Sequence, residues 1–271
     1  MNIKIKKNVS IIIIVSIMIV ILVGIGLSIG LTYSLWSDTS GGDSTVAPST
    51  ITYDWNAYTK YFTYDAHRSD GTIISNGSGV KNGATLSESP SYFVCTGLSK
   101  ESLLPDIIFP EIIEYKVGDA SSYSTAPLRE VSNTVFEEIT YKQMPTSIVI
   151  SSNIIKIKQG AFVGLTNLQT VTFYPGNAGL RIGYGVFSGC TSLKTIKSVG
   201  NKAIVFTDNS FIGCSVLESF DRDRCSINYI NDIDSSNDPV AIDSLSKWEE
   251  YKNKIFLGVA SGFSLTPSFS S

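Results

Sequence analysis

The hydrophobic positions begin as one unbroken block: residues 9–37 carry no charge, and residues 11–31 are mostly isoleucine, valine and leucine. About 20 such residues are enough to cross a hydrocarbon core about 30 Å thick, so the pattern predicts one transmembrane helix over residues 9–36. Lys4, Lys6 and Lys7 precede the block, while Asp38 and Asp43 follow it. Positive flanks stay in the cytoplasm, which makes residues 1–8 a basic cytoplasmic tail and puts everything after the helix outside. A cleaved secretory signal also starts charged and turns apolar, but its apolar part is about 7 to 15 residues and ends at small residues. Here the run is longer and closes on Leu31, Tyr33, Leu35 and Trp36, so the expected location is the cell membrane, single-pass with the N-terminus inside. The chain is secreted if that segment is cleaved.

After the block the pattern changes three times. Residues 37–50 are small and polar without apolar period, which describes a flexible linker. From residue 51 to about residue 98 short apolar runs alternate with the turn dipeptides Asp70-Gly71, Asn76-Gly77 and Asn82-Gly83, the signature of short β-strands. The rings of Tyr53, Trp55, Tyr58, Tyr61, Phe62 and Tyr64 crowd this stretch. They suit either a sugar-stacking platform or a plug on one end of a stack, and the plug is favoured because aromatics bury large areas. Residues 107–110, with Ile139, Ile148 and Ile150, read as a degenerate ladder, and residues 122–127 as a loop bulging from it.

The strongest signal lies between residues 155 and 220. Three segments, 155–173, 180–198 and 204–220, align almost without gaps, so Phe162, Phe187 and Phe211 coincide, as do Leu168, Leu193 and Leu217, and Val171, Ile196 and Phe220. A period of 20 to 29 residues with aliphatics at fixed offsets belongs to solenoids in which each coil supplies one strand. One buried leucine or phenylalanine contributes about 1.5 to 3 kcal/mol, too little to order a coil of this length alone. The coils must therefore stack, and these nine residues form the repeat core. Gly164, Gly189 and Gly213 share an offset at which glycine relieves crowding in the turn. The motifs GAFVGLTNLQTV and GVFSGCTSLKTI resemble the BspA-like leucine-rich repeat family of surface proteins. That resemblance implies an extracellular protein engaged in binding, adhesion or aggregation, and it supplies no catalytic residues.

Past Cys225 the period stops. Ser246 and Glu249 have capping-box spacing and predict a helix to about residue 256, with Leu245, Trp248, Tyr251 and Ile255 on one face as a C-terminal cap. Residues 260–271 are serine-rich and expected to fray. The fold class is an α/β-type solenoid: a short, irregular ladder of parallel strands over residues 146–225. A β-rich N-terminal region with degenerate repeats at 51–145 precedes it, and a helical cap and tail at 226–271 follows.

Composition then narrows the chemistry. The net charge is −3 and the lysines are scattered, so no basic face exists for nucleic acid. His67 is the one histidine, and Cys95, Cys190, Cys214 and Cys225 form no CxxC pair. Cys190 and Cys214 sit at equivalent repeat positions and read as small buried hydrophobes, although a bridge between Cys214 and Cys225 is open in an oxidising compartment. Asp232, Asp234, Ser236, Asp238 and Asp243 imitate a calcium loop, yet Asn237 stands where the loop needs glycine. Glu137-Glu138 and Glu249-Glu250 are sequence neighbours, which is not how an acid and a base flank a bond. No catalytic site, metal or cofactor is expected. The expected role is non-catalytic binding of an extracellular protein or glycan through the exposed strand positions Gln169, Thr170, Thr172, Lys194, Thr195, Lys197, Glu218 and Ser219. The alternative is a structural envelope component with no ligand of its own, and the oligomeric state is left open.

Overall fold

Through its middle passes the chain returns about every two dozen residues to lie beside its previous pass. The computed structural model describes residues 55–99, 105–137 and 145–269. The predicted transmembrane helix at 9–36 and the linker at 37–50 lie outside the described residues. Among the described residues no helix is long and apolar enough to cross a membrane.

Each pass contributes two strands, not the one the repeat pattern predicted. Strands β3 (Tyr92–Leu98), β6 (Ser124–Val131), β8 (Lys156–Ile157), β10 (Leu180–Ile182), β12 (Ile204–Phe206) and β14 (Ile227–Tyr229) run parallel in a first sheet. Strands β4 (Asp106–Ile108), β7 (Ser147–Ile150), β9 (Thr170–Phe173), β11 (Thr195–Ser198), β13 (Ser219–Asp221) and β16 (Ser264–Thr266) make the second. The extra strand was present in the repeat as the short apolar triplets Leu180-Arg181-Ile182 and Ile204-Val205-Phe206. Their central residue points away from the core, and their outer two pair in register with the next pass. Such triplets are too brief to announce a strand alone; pairing with the equivalent segments on both sides makes them one.

The two sheets enclose the core between them. Val171 stands in register with Ile148, Ile196 with Phe220, and Phe220 with Leu265, so like positions form columns along the stack. All nine predicted core residues are fully buried. Phe162, Phe187 and Phe211 line a third side, where the chain turns from one sheet to the other. Centroids of adjacent rings are 5.3 and 5.1 Å apart, and Phe211 stacks on Phe256 at 4.9 Å with planes 3° from parallel. The turns are themselves laddered: the N–H groups of Gly160, Phe162 and Gly164 donate to the carbonyls of Tyr184, Val186 and Ser188. Gly164, Gly189, Gly213 and Gly258 have φ between 72° and 79°. A Cβ on Gly164 would meet nothing within 4 Å, so the left-handed backbone, not crowding, calls for glycine there.

The first sheet is closed at both ends by antiparallel strands, β1 (Phe62–His67) on β3 and β15 (Val240–Ile242) on β14. Beside β1, the turn at Asp70-Gly71 forms as predicted, with the Thr72 N–H donating to Asp70 Oδ1 at 2.9 Å. Phe62 stacks on Phe109 at 5.0 Å, and the Tyr64 hydroxyl donates to the Thr59 carbonyl at 3.0 Å, so these two rings plug the end of the core. The predicted bulge at 122–127 is instead the start of β6, paired antiparallel with β5 (Ile112–Val117), which also holds β2 (Ala84–Leu86). Pro127 faces Ile112 within that pairing.

The C-terminal region differs most from expectation. Helix α1 (Leu245–Ile255) is capped by Ser244, whose side chain accepts from the Lys247 N–H, and not by Ser246. Ser244 is still extended as the chain leaves β15, at φ −142° and ψ 160°, so the helix begins directly after it. Leu245 is consequently exposed, while Trp248 and Ile255 are buried and Tyr251 lies against Tyr229. The helix is an insertion within a coil. Phe256, Leu257 and Gly258 occupy the turn that Phe211, Ile212 and Gly213 occupy one coil earlier, and the segment expected to fray supplies β16 in register with β13.

All four cysteines are buried free thiols, and Cys214 is not joined to Cys225. The Cys190 and Cys214 thiols donate to the carbonyls of Phe162 and Phe187 in the preceding coil.

Two predictions follow from the stack. Phe187→Ala removes a ring packed on both faces and should cost about 3 to 5 kcal/mol of unfolding free energy, whereas Lys194→Ala on the surface should stay within about 0.5 kcal/mol; equilibrium denaturation separates the two. Burial pushes the Cys214 thiol from 9.0 up to about 12, and burial raises Cys95 and Cys190 as well. The unfolded chain therefore gives up thiol protons that the folded chain keeps. Stability is fully present below pH 9 and falls as pH rises from 9.0 toward about 12. Denaturation midpoints across that range should decline, with a shallower slope in Cys214→Ala.

Candidate interaction face

In a parallel ladder whose inward positions are fixed by the core, the residues between them must point outward. On the second sheet this produces straight rows. Asp106, Ser147, Thr170, Thr195, Ser219 and Ser264 stand in register as one row of short polar side chains. Two positions along each strand, Val149, Thr172, Lys197, Asp221 and Thr266 form the next row. Gln169, Lys194 and Glu218 precede their strands at equivalent places. Their N–H groups are tied in series, Lys194 to the Gln169 carbonyl and Glu218 to the Lys194 carbonyl, each at 2.9 Å.

All eight sequence-predicted positions therefore share one face. Gln169, Thr170, Lys194, Lys197 and Glu218 are exposed, and Thr172, Thr195 and Ser219 are half-buried. At the N-terminal end the face is occupied: Ile108 and Val149 point outward yet are 6% and 4% exposed. There the 3-10 helix Trp55–Tyr61 lies against β4, and Trp55 meets Tyr174 edge-on at 5.6 Å. The accessible part is thus the four coils from β9 to β16. Its charges alternate, with Lys197 in register beside Asp221, so the face has local polarity without a strong field of one sign.

The outer face of the first sheet is different, because the segment after β14 folds back across it. Lys156 Nζ lies 2.7 Å from Asp234 Oδ1, and Arg181 Nη1 donates to the carbonyls of Ile233 at 2.9 Å and Ser235 at 3.2 Å. Burial works against the charge on Lys156, but the Asp234 and Glu130 carboxylates outweigh it and hold its pKa above the usual value. Residues 231–235 form a strap over Lys156 and Arg181. This strap is the segment whose spacing imitated a calcium loop. Asp234 answers Lys156, and Asp232 Oδ1 accepts from the Asp234 N–H at 2.9 Å, so both serve the fold of the loop. No group of three metal-binding side chains occurs among the described residues.

The remaining candidate chemistry is dispersed. His67 stacks on Tyr92 with its Nδ1 2.9 Å from the Gly71 carbonyl, in the N-terminal region. Glu249 pairs with Lys252 along α1. Sequence reasoning missed the strap and the half-exposed Tyr184. The available signal was the interrupted period: Phe256 follows Phe211 by 45 positions where earlier coils took 25 and 24.

Comparison with protein families agrees with the repeat architecture. A family model described as BspA type leucine rich repeat region matches residues 129–237 in 6 copies. No curated protein matches the chain. A solved structure, a leucine rich cell surface protein from Faecalibacterium prausnitzii A2-165, is 19% identical over 51% of this chain and 40% of that one, with a TM-score of 0.34. The chain thus spans less than half the length of that protein. The passes laid in register and the pattern matched across residues 129–237 agree, so this part of the chain is a BspA type leucine rich repeat region.

Proposed function

We propose that this is a membrane-tethered protein of the cell surface that binds an extracellular protein or glycan and carries out no catalysis. The observation that supports this most directly is the asymmetry of the two sheets. One outer face is covered by its own strap, while the other leaves polar rows from four consecutive coils open to solvent. Specific contact needs a broad, rigid surface with polar groups at fixed positions, and in-register pairing holds each of these to the strand spacing. The uncharged run at residues 9–37 with lysines before it supports a tether that displays this face outside the cell. Dispersal of His67 and the carboxylates supports binding over catalysis. A second reading, an envelope component that assembles with itself, is favoured by the position of β16, which ends the second sheet among the described residues.

Two measurements test the proposal. Protease treatment of intact cells should release a fragment beginning within residues 37–50; protection of the repeats would reverse the topology. Full-length protein displayed on cells should bind host matrix proteins or cell-surface glycans, and joint Lys194→Glu and Lys197→Glu should weaken that binding about tenfold or more without shifting the melting temperature. Undiminished binding by this variant would remove the face from the proposal. Ordered self-association with no ligand bound would favour the second reading.

A further inference from the structure

Where the strap crosses the first sheet it stands away from the neighbouring turns and leaves an open groove of about 1010 Å³. It is lined by Asn133, Lys158, Gln159 and Tyr184, and by Asn231 and Asp232 of the strap. We propose that this groove is a binding site for a neutral oligosaccharide, separate from the face of the second sheet.

The chemistry of the lining selects this ligand class. Sugar hydroxyl pairs present a donor beside an acceptor, and amide and carboxylate side chains answer both. Three amides and two carboxylates line it, and one of the carboxylates, Asp234, is held by Lys156. The Asn231 amide and Asp208 Oδ1 each lie 2.8 Å from the Tyr229 hydroxyl, which has one proton to donate between them. The proton goes to the Asp208 carboxylate, so the Asn231 amide meets the Tyr229 oxygen through its NH2 and keeps its own oxygen as an acceptor. Asp232 commits Oδ1 to the Asp234 N–H and keeps Oδ2 as an acceptor. The strap cannot swing freely, because Arg181 holds two of its carbonyls and Lys156 holds Asp234.

An aromatic ring completes the set. Tyr184 is 49% exposed, far more than a core tyrosine, and its hydroxyl accepts from Asn209 Nδ2 at 3.0 Å, which anchors the far end of the ring. A fixed, accessible ring offers an apolar surface to the C–H face of a pyranose while the amides engage its hydroxyls. The charges around the groove are balanced, with Lys156, Lys158 and Arg181 set against Glu130, Asp232 and Asp234, so nothing there selects acidic sugars or phosphates. Lys158 lies 3.5 Å from Glu130 Oε2, Lys156 is answered by Asp234, and Asp232 adds a negative charge at the wall. The volume is at the upper end of the roughly 300 to 1,000 Å³ usual for small-molecule sites and the groove is open, so it suits several linked sugar units better than one.

Full-length protein displayed on cells would be titrated with labelled maltohexaose, cellohexaose and hexa-N-acetylchitohexaose, with a heparin hexasaccharide and oligosialic acid as acidic probes. At least one neutral probe should bind. Tyr184→Ala should weaken it about tenfold, and Gln159→Ala should weaken it to a smaller extent, with melting temperature unchanged in both. Lys194→Glu with Lys197→Glu should leave this binding intact, so loss of the second-sheet reading and loss of this one are separate results. Failure of every neutral probe to bind at millimolar concentration would overturn the proposal. Preference for the acidic probes, or a Tyr184→Ala variant that binds as tightly as the parent, would do the same.

Discussion

In-register contact between each coil and the next is the constraint from which the rest of this structure follows. A coil of about two dozen residues buries too few side chains to offset the entropy of ordering itself. It becomes stable when its neighbour supplies backbone partners on both sheets and along the turns. Register then matters more than composition at any one site, since a slip of one residue would turn Val171, Ile196 and Phe220 outward together. The phenylalanine column expresses the same constraint in side chains, because each ring completes the environment of the ring before it.

A stack of this kind has two ends and two broad faces, and each is treated differently. Antiparallel strands close the first sheet at both ends, and aromatic rings plug the core at the N-terminal end. At the other end Phe256 continues the phenylalanine column, and Trp248 packs against it at 5.7 Å. Of the faces, one is partly covered by the strap, and Lys156 and Arg181 are engaged in holding it. The other keeps its rows open over four coils. The difference in cover between the faces comes from a single insertion in the last coil, since both sheets are built by the same repeat.

How much of this was legible depended on how often a feature recurs. Phe162, Phe187 and Phe211 recur three times with almost constant spacing, so their column, the buried leucines and the outward face could be read directly. The first sheet was harder, because Lys156–Ile157 and Leu180–Ile182 are short enough to pass for turns until their pairing is seen. The last coil was misread for a different reason. Its phenylalanine arrives 45 positions after Phe211, so the repeat looked finished, and Ser264–Thr266, a serine-rich stretch, carried no hydrophobic run to mark it as a strand. Leu265 alone faces the core there, supported by Phe220 beside it. The strap was invisible because what fixes it, Lys156 and Arg181, lies 78 and 52 residues away from its partners.

The insertion also shows where such a solenoid can acquire specificity. A ladder residue cannot change freely, since its column neighbours on both sides are fitted to it. A loop that leaves the ladder after β14 and rejoins it at Phe256 answers to only two requirements, departure and return in register, and the column Phe211 to Phe256 shows that both are met. Between those points the chain is free to place amides, carboxylates and a helix wherever the turns of earlier coils offer a wall. The groove beside Tyr184 arises this way: one wall is repeat, held by stacking, and the other is insertion, held by two basic side chains that the repeat happens to point outward. Changes in the strap can therefore alter what the groove accepts without touching the pairing that keeps the coils together.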